Sequence, residues 1–142
     1  MRLTNFSDIS FRVLLYAAAH EDRLVTIDEM TETLKVSRGH LMKVVHNLTS
    51  NGFLISLRGR GGGLKLGKKP GAINLADVLR KTETDFAQVE CMREGNECTL
   101  TGFCKLPNIL HEAMRAYLQV LSKYTLEDVD VLGKLRSSFE EA

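Results

Sequence analysis

Apolar residues near the start of the chain recur three and four positions apart, which is the spacing of a helix. Ile9, Val13 and Ala17 form one such row, and further apolar residues lie beside it. A broad apolar face of this kind indicates a helix packed into the core. We expect Ser7 to cap its first turn, because a serine hydroxyl accepts a hydrogen bond from a free backbone N–H group. We expect the helix to end near His20.

Two short helices joined by a tight turn are predicted next. Thr26 and Glu29 have the T-x-x-E spacing of a capping box, in which hydroxyl and carboxylate satisfy backbone N–H groups reciprocally, so a helix should run to about Leu34. Ser37 is the expected N-cap of a third helix, which ends near Ser50. The apolar residues that this third helix should turn inward are Leu41, Val44, Val45 and Leu48.

The following segment has the composition of strands. Residues 53–57 are largely apolar, residues 64–66 alternate, and the glycine-rich stretch RGRGGG between them can turn tightly, so the pattern predicts a two-stranded hairpin. Two short helices followed by a hairpin are the order of a winged helix-turn-helix. The predicted fold class is therefore mainly α with a small β-hairpin wing, joined to a long dimerisation helix.

The carboxyl-terminal half is also predicted to be helical. A short helix should run from Asn74 to about Lys81, and a long one from Pro107 to about Lys123. A capping signal at Thr125 opens a short final helix, and the tail SSFEEA is expected to be frayed. We interpret the long helix as the dimer element; the alternative is that all its apolar positions pack on the first helix.

The composition is that of one globular domain. The 142 residues are 44% hydrophobic and 26% charged, and no apolar run approaches the ~20 residues that span a bilayer. Asp8 and Arg12 interrupt the apolar stretch that would make a signal peptide, so we expect a cytoplasmic protein without a membrane segment. We divide the chain into a winged helix-turn-helix DNA-binding domain (1–82), a cysteine-rich cluster-binding loop (83–106) and a dimerisation helix with its tail (107–142).

Charge is distributed unevenly along the chain. The net charge is only +1, yet residues 33–76 contain eight basic residues and no Asp or Glu, which leaves the rest of the chain acidic. A basic segment between acidic ones is typical of a nucleic-acid-binding surface. The alternative, that these basic residues only make the domain soluble, accounts poorly for the complete absence of acid.

Winged helix-turn-helix geometry gives the basic residues a role. The third helix enters the major groove, and the wing tip reaches phosphates or the adjacent minor groove. A symmetric dimer matches a palindromic site, so the expected partners are double-stranded operator DNA and a second copy of the chain. The candidate DNA-binding residues are Thr26, Ser37, Arg38, His40 and Lys43 on the two helices, and Arg58, Arg60 and Gly61 on the wing.

Three cysteines, Cys91, Cys98 and Cys104, lie within one short segment. An odd number argues against a disulfide framework. Zinc sites usually show a closer C-x2–4-C pair, and a redox switch needs only two thiols. An iron–sulfur cluster accepts wider spacing and a fourth ligand of another residue type. No nucleotide-binding glycine fingerprint precedes a helix, so nothing beyond the thiols supports an enzyme, and we expect none.

Four features of the chain resemble one family. They are MRLTNFSDISFRVLLYAA, VSRGHLMKVVHNLTSNGFLISLRGRGGGLKLG, the three cysteines and the late KYTLEDV. They look like the winged-helix iron–sulfur regulators that include IscR and, within them, the NsrR type of nitric-oxide-sensing repressor. The resemblance covers almost the whole chain. The wing pattern RGRGGGLKLG is that of the larger family, while YTLEDV and Asp8 favour the NsrR type.

The resemblance implies a [2Fe–2S] or [4Fe–4S] cluster held by the three cysteines, with Asp8 of the partner subunit as the remaining metal ligand. Asp8 also stands four residues before Arg12, so the other interpretation is a simple ion pair. An IscR-like site would place a histidine where this chain has Asn108; the nearest, His111, lies one turn farther on.

The family also implies a function. A homodimer would bind operator DNA, repress genes of nitric oxide detoxification, and release the DNA when nitric oxide nitrosylates the cluster. The alternative within the same family is a regulator that responds to iron or to the supply of iron–sulfur clusters.

Overall fold

The computed structural model describes residues 1–130 and 133–141. Within them the fold is mainly helical with one two-stranded antiparallel hairpin, which confirms the predicted class. No described helix has the length and apolar character needed to cross a membrane. The helices are α1 (Asn5–Ala19), α2 (Ile27–Leu34), α3 (Arg38–Ser50), α4 (Leu75–Thr82), α5 (Leu106–Leu121) and α6 (Leu135–Glu141), and the strands are β1 (Leu54–Leu57) and β2 (Gly63–Leu66). Short 3-10 turns lie at Pro70–Ala72, Glu90–Met92 and Leu126–Val129.

Helix α1 is capped by Thr4, so the prediction of Ser7 as its cap was wrong. The Thr4 Oγ1 accepts a hydrogen bond from the backbone N–H of Ser7 at 3.2 Å. Ser7 is itself fully buried, with its Oγ 2.8 Å from the Oγ1 of Thr82 on α4. Both residue types can cap a helix, and the contact that buries Ser7 comes from a residue distant in sequence. Local pattern therefore could not choose between them.

The core lies between α1, α2 and α3 and is closed by the hairpin and α4. All four apolar residues that were predicted to face inward on α3 are buried. The hairpin is tied to this core through Val25 and Leu64, whose backbones exchange hydrogen bonds of 2.9 and 2.7 Å. The largest fully buried side chains are Leu14, Met30, Leu41, Leu48, Leu54, Ile73, Leu79 and Leu126. Burial of each such side chain contributes about 1.5–3 kcal/mol.

The carboxyl-terminal segment returns to the same core. The capping signal is confirmed: the Thr125 backbone N–H donates to the Asp128 carboxylate at 2.7 Å, and Leu126 beside it is buried. The expectation of a frayed tail was wrong, because residues 135–141 form α6. Phe139 of α6 packs against Tyr16 of α1, with ring centroids 5.1 Å apart. Tyr16 is distant in sequence, so the tail alone carried no signal of this contact.

Helix α5 is long, and yet none of its 16 residues is buried. Its main packing partner among the described elements is α4, which excludes the alternative that its apolar positions all pack on α1. Ile109 and Val120 are 60% and 52% exposed. The predicted bounds of this helix agree with the structure within two residues. Its exposed apolar stripe, called the α5 stripe below, consists of Ile109, Ala113, Ala116 and Val120.

Candidate DNA-binding surface and cysteine cavity

Helix α3 presents a basic face to solvent. Ser37 caps the helix, since its Oγ accepts a hydrogen bond from the backbone N–H of His40 at 3.4 Å. The buried apolar residues fix the opposite side, so Arg38, His40 and Lys43 are exposed, and the helix carries no acidic residue. A capped helix with this charge and exposure has the properties of one that enters the major groove.

One predicted DNA contact, Arg38, already has a partner. Its guanidinium forms an ion pair with Asp28 on α2, and both side chains are more than half exposed. Asp28 lies outside the acid-free segment, so the charge pattern of the sequence did not point to it. Exposed ion pairs contribute only about 0–1 kcal/mol, so Arg38 can exchange this carboxylate for a group on DNA.

Thr26 caps α2, as predicted, by accepting a hydrogen bond from the backbone N–H of Glu29 at 3.2 Å. The Glu29 carboxylate accepts bonds from the Thr26 hydroxyl at 3.2 Å, the Tyr16 hydroxyl at 3.0 Å and Arg23 at 2.7 Å, so it does not form the predicted reciprocal box. Partial burial opposes ionisation, but the bonds from Arg23, Thr26 and Tyr16 hold the pKa of Glu29 below its ordinary value. Glu29 therefore fixes the start of α2 against α1.

The wing ends in an exposed tip formed by residues 58–62. Arg58 and Arg60 are exposed there, as is Gly61. Gly59 and Gly61 have φ values of 97° and 75°, a region that other residues rarely adopt, so the tip needs glycine at both positions. The tip thus holds two guanidinium groups at the protruding end of the hairpin. The strand register pairs Leu54 with Leu66, Ile55 with Lys65, Ser56 with Leu64, and Leu57 with Gly63.

All three cysteines line one cavity of about 310 Å³. Cys91 lies in the turn Glu90–Met92, Cys98 in the loop that follows, and Cys104 two residues before α5. The three thiols are free, and Cys104 is exposed. The structure therefore brings the three predicted ligands around one space. Much of the remaining wall is apolar, formed by Val89, Leu100, Leu106 and Pro107.

The donor set around this cavity fits a multinuclear centre better than a single ion. In residues 1–130 and 133–141, no group of three or more His, Cys, Asp or Glu is placed to hold one metal ion. Thiols spread around a wider space can instead hold a cluster, which presents several iron atoms. The backbone N–H of Leu106, at the start of α5, donates to the Cys104 Sγ at 3.4 Å.

Asp8 lies outside the cysteine cavity of its own chain. It belongs to the first turn of α1 and forms an ion pair with Arg12 of the same helix. His111 and Asn108 on α5 are exposed and do not line the cavity either. The acidic residue that does line it is Glu90, whose Oε1 accepts a hydrogen bond from the Glu97 backbone N–H at 3.0 Å. One chain therefore offers three thiols and, in the same wall, an acidic residue that sequence reasoning did not name.

The exposed face of α3 also holds uncharged residues that sequence reasoning did not single out. Gly39, Met42 and His46 are all exposed and follow one another three and four positions apart. A helical projection from the inward apolar residues predicts this face. The charge pattern directs attention to basic residues alone, and that is why these three were missed.

The sequence and fold of the chain were compared with those of known proteins. The model of the Rrf2 family, described as iron-dependent transcriptional regulator, matches residues 3–130. The HTH-type transcriptional regulator NsrR of Bacillus subtilis strain 168 is 47% identical over 131 residues, covering 91% of this chain and 90% of its own. The regulator of the same name from Geobacillus kaustophilus is 40% identical over 144 residues, covering 99% and 98%.

Solved structures support the fold. CymR, the global cysteine regulator of B. subtilis, superposes with a TM-score of 0.71 at 23% identity, over 97% of this chain and 98% of that one. IscR of T. potens gives a TM-score of 0.72 at 19% identity, over 99% and 90%. At these identities the likeness shows the winged-helix fold alone. The family match and the sequence relatives show that the chain belongs to the Rrf2 family of transcriptional regulators, as an NsrR-type regulator and not an enzyme.

Proposed function

We propose that the chain is a nitric-oxide-sensitive transcriptional repressor, which binds operator DNA as a homodimer and holds an iron–sulfur cluster through Cys91, Cys98 and Cys104. The observation that carries this proposal is the single cavity of about 310 Å³ lined by all three thiols. The 47% identity to a regulator named NsrR supports the same function. The free thiols and the proposed binding of operator DNA both support a cytoplasmic location.

Operator binding relies on α3 and the wing tip. We assign Arg38, His40 and Lys43 to the major groove, because they are exposed on the helix whose other side is held in the core. Arg58 and Arg60 reach flanking phosphates or the minor groove from the wing tip.

Three further residues support the same surface. Thr26 and Ser37 stand at the first turns of α2 and α3, where hydroxyl and backbone N–H groups can bind phosphate oxygens. Gly61 is exposed at the wing tip, and without a side chain it lets the backbone approach the duplex. These contacts set position and orientation, whereas the groove contacts of α3 read sequence.

The α5 stripe is the proposed dimer contact. Contiguous exposed apolar surface on a helix marks an association site. Packing of the stripe against the same stripe of a second copy buries it isologously and gives the two-fold axis that a palindromic operator requires. Since α5 packs on α4, which packs on α1, this contact also sets the distance between the two α3 helices.

The sensing step acts on the segment between Cys91 and Cys104. When bound, an iron–sulfur cluster supplies iron that thiolates ligate and that reacts with nitric oxide. Cys91, Cys98 and Cys104 would hold the cluster, and because Cys104 lies two residues before α5, ligation would tie this segment to the start of that helix and loss of ligation would free both. A decrease from 99% to 1% in the fraction of dimer that can bind DNA needs about 5.5 kcal/mol of differential stabilisation between the two states. Reordering of this segment and of the α5 contact can supply that free energy together.

We propose Asp8 of the partner subunit as the fourth ligand. A carboxylate is a harder ligand than a thiolate, so its bond to iron would be more labile than the thiolate bonds. Asp8→Asn should keep the iron content but change the absorption spectrum and the response to nitric oxide. Glu90→Gln is the matched control, because Glu90 lies in the cavity wall of its own chain. If only Glu90→Gln changes the spectrum, the fourth ligand is Glu90 and the Asp8 assignment is wrong.

Anaerobic purification and a nitric oxide titration test the function. The probe is a DNA duplex selected from a random library by the anaerobically purified protein. Iron and sulfide counts establish the cofactor, and binding to the duplex should be abolished at near-stoichiometric ratios of nitric oxide to cluster. Binding that is unaffected by nitric oxide but changes when a chelator removes the iron would establish the alternative, a regulator that responds to iron or cluster supply.

A further inference from the structure

Helix α3 contains a glycine that the fold does not require. Gly39 lies in the first turn of the helix without a positive φ, and a Cβ added there would meet nothing within 4 Å. Glycine inside a helix is less stable than alanine by about 0.5–1 kcal/mol. Neither backbone conformation nor packing within the chain requires glycine at this position, and the missing side chain leaves the backbone open to a molecule that approaches the surface.

Met42 is the apolar residue on the same exposed face. It is 50% exposed, whereas the four other large apolar side chains of the helix are buried. A single exposed apolar residue is ordinary by itself, but this one stands three residues after Gly39. Side chains on a helix lean toward its N-terminus, so Met42 covers the surface over the turn that contains Gly39. The bare backbone at Gly39 and the apolar side chain of Met42 are therefore neighbours on this face, and the pair is called the α3 notch below.

We infer that the α3 notch reads thymine methyl groups in the operator. The inference rests on the proposed binding of DNA by α3 and names two further residues that determine its specificity. The early turns of a recognition helix contact base edges, and the thymine methyl is the apolar group that the major groove displays. Lys43, the neighbour of Met42, is exposed beside the notch and can contact base edges of the same half-site. Met fills irregular apolar space well, because its side chain is flexible.

Deoxyuridine tests the notch directly, because it removes the methyl group and keeps every hydrogen-bonding group of thymidine. The probes are the duplex selected by the wild-type protein and the same duplex with deoxyuridine in place of thymidine. Wild-type protein should bind the deoxyuridine duplex about fourfold more weakly for each methyl group that the notch binds. Met42→Ala should bind the two duplexes equally. Leu57→Ala, which removes a 45% exposed apolar side chain from the wing, should keep the wild-type difference.

Gly39→Ala supplies the second test. Alanine should raise the thermal midpoint of unfolding or leave it unchanged, yet it should weaken binding to the thymidine duplex by filling the notch, and the wild-type preference for thymidine should shrink. The inference is overturned if wild-type protein binds both duplexes equally, or if Met42→Ala keeps the full difference. If wild-type protein selects no duplex from the library, the proposed binding of DNA by α3 is itself wrong. That outcome differs from equal binding of the two duplexes, which overturns the α3 notch alone.

Discussion

The two halves of the chain differ in how completely they are packed. Helices α1, α2, α3 and α4 all bury residues, and each has a side-chain cap at its start. Helix α5 buries none and has no such cap, and Cys104 before it is exposed. The DNA-binding half is thus stabilised within one chain, whereas the cysteine half exposes its apolar and thiol groups. Segments with little buried surface open most easily, so this half is where a signal can change the structure.

The largest effect should come from a cavity in the packed half. Leu48→Ala removes a fully buried side chain of α3 and should lower the free energy of unfolding by about 2–5 kcal/mol in a urea titration of the cluster-free protein. Leu100→Ala truncates a 60% exposed residue in the cysteine loop, and its free energy of unfolding should stay within about 0.5 kcal/mol of wild type. Equal destabilisation of the two variants would show that the halves are packed alike.

The next largest effect should come from the α5 stripe. Ile109→Asp places a charge in the proposed apolar contact between copies and should raise the dimer dissociation constant by about 30-fold or more, which corresponds to about 2 kcal/mol. Analytical ultracentrifugation measures the dissociation constant, and circular dichroism should show an unchanged helix content. Arg115→Ala, on the polar side of α5, is the control and should leave the dimer intact. A dimer unaffected by Ile109→Asp would place the contact elsewhere.

A smaller effect is expected at the wing tip. Arg60→Ala should reduce the slope of log affinity against log salt by about 0.9 for each protomer bound, because the variant neutralises one phosphate fewer. The decrease in affinity should be similar for different DNA sequences. Lys123→Ala removes the same charge from a position just beyond α5 and should leave the slope unchanged. A slope that Arg60→Ala does not alter excludes a phosphate contact there.

Features set by neighbouring residues were predictable from sequence. Ser37 and Thr26 cap their helices because the cap needs only the next three residues, and the apolar spacing of α3 alone determines which side is buried. Two of the wrong predictions, the Ser7 cap and the frayed tail, have one physical cause. Ser7 is buried by Thr82, and Phe139 of the tail packs on Tyr16, and both contacts join residues far apart in sequence.

The cysteine site also has one part that sequence could predict and one part that it could not. The spacing of the three thiols indicated a shared site, and the structure brings all of them to one cavity. Sequence could not indicate that Glu90 lines that cavity, since this depends on how the loop folds back. On α3, the apolar spacing was enough to place Gly39 and Met42 on the exposed side, but the charge pattern directed attention to basic residues alone.

The smallest effect is expected where the packed half meets DNA, at the ion pair of Asp28 and Arg38. Asp28→Asn frees the guanidinium, so binding to random-sequence DNA should strengthen by up to about fivefold at low salt, while stability changes by less than about 0.5 kcal/mol. Binding to the selected duplex should gain less, because Arg38 there already exchanges its partner, and the ratio of specific to non-specific affinity should fall. Asp77→Asn breaks a comparable exposed pair with Arg80 on α4 and makes the same charge change. Equal effects of the two substitutions on both duplexes would mean that net charge alone acts, and that Asp28 does not hold Arg38 for recognition.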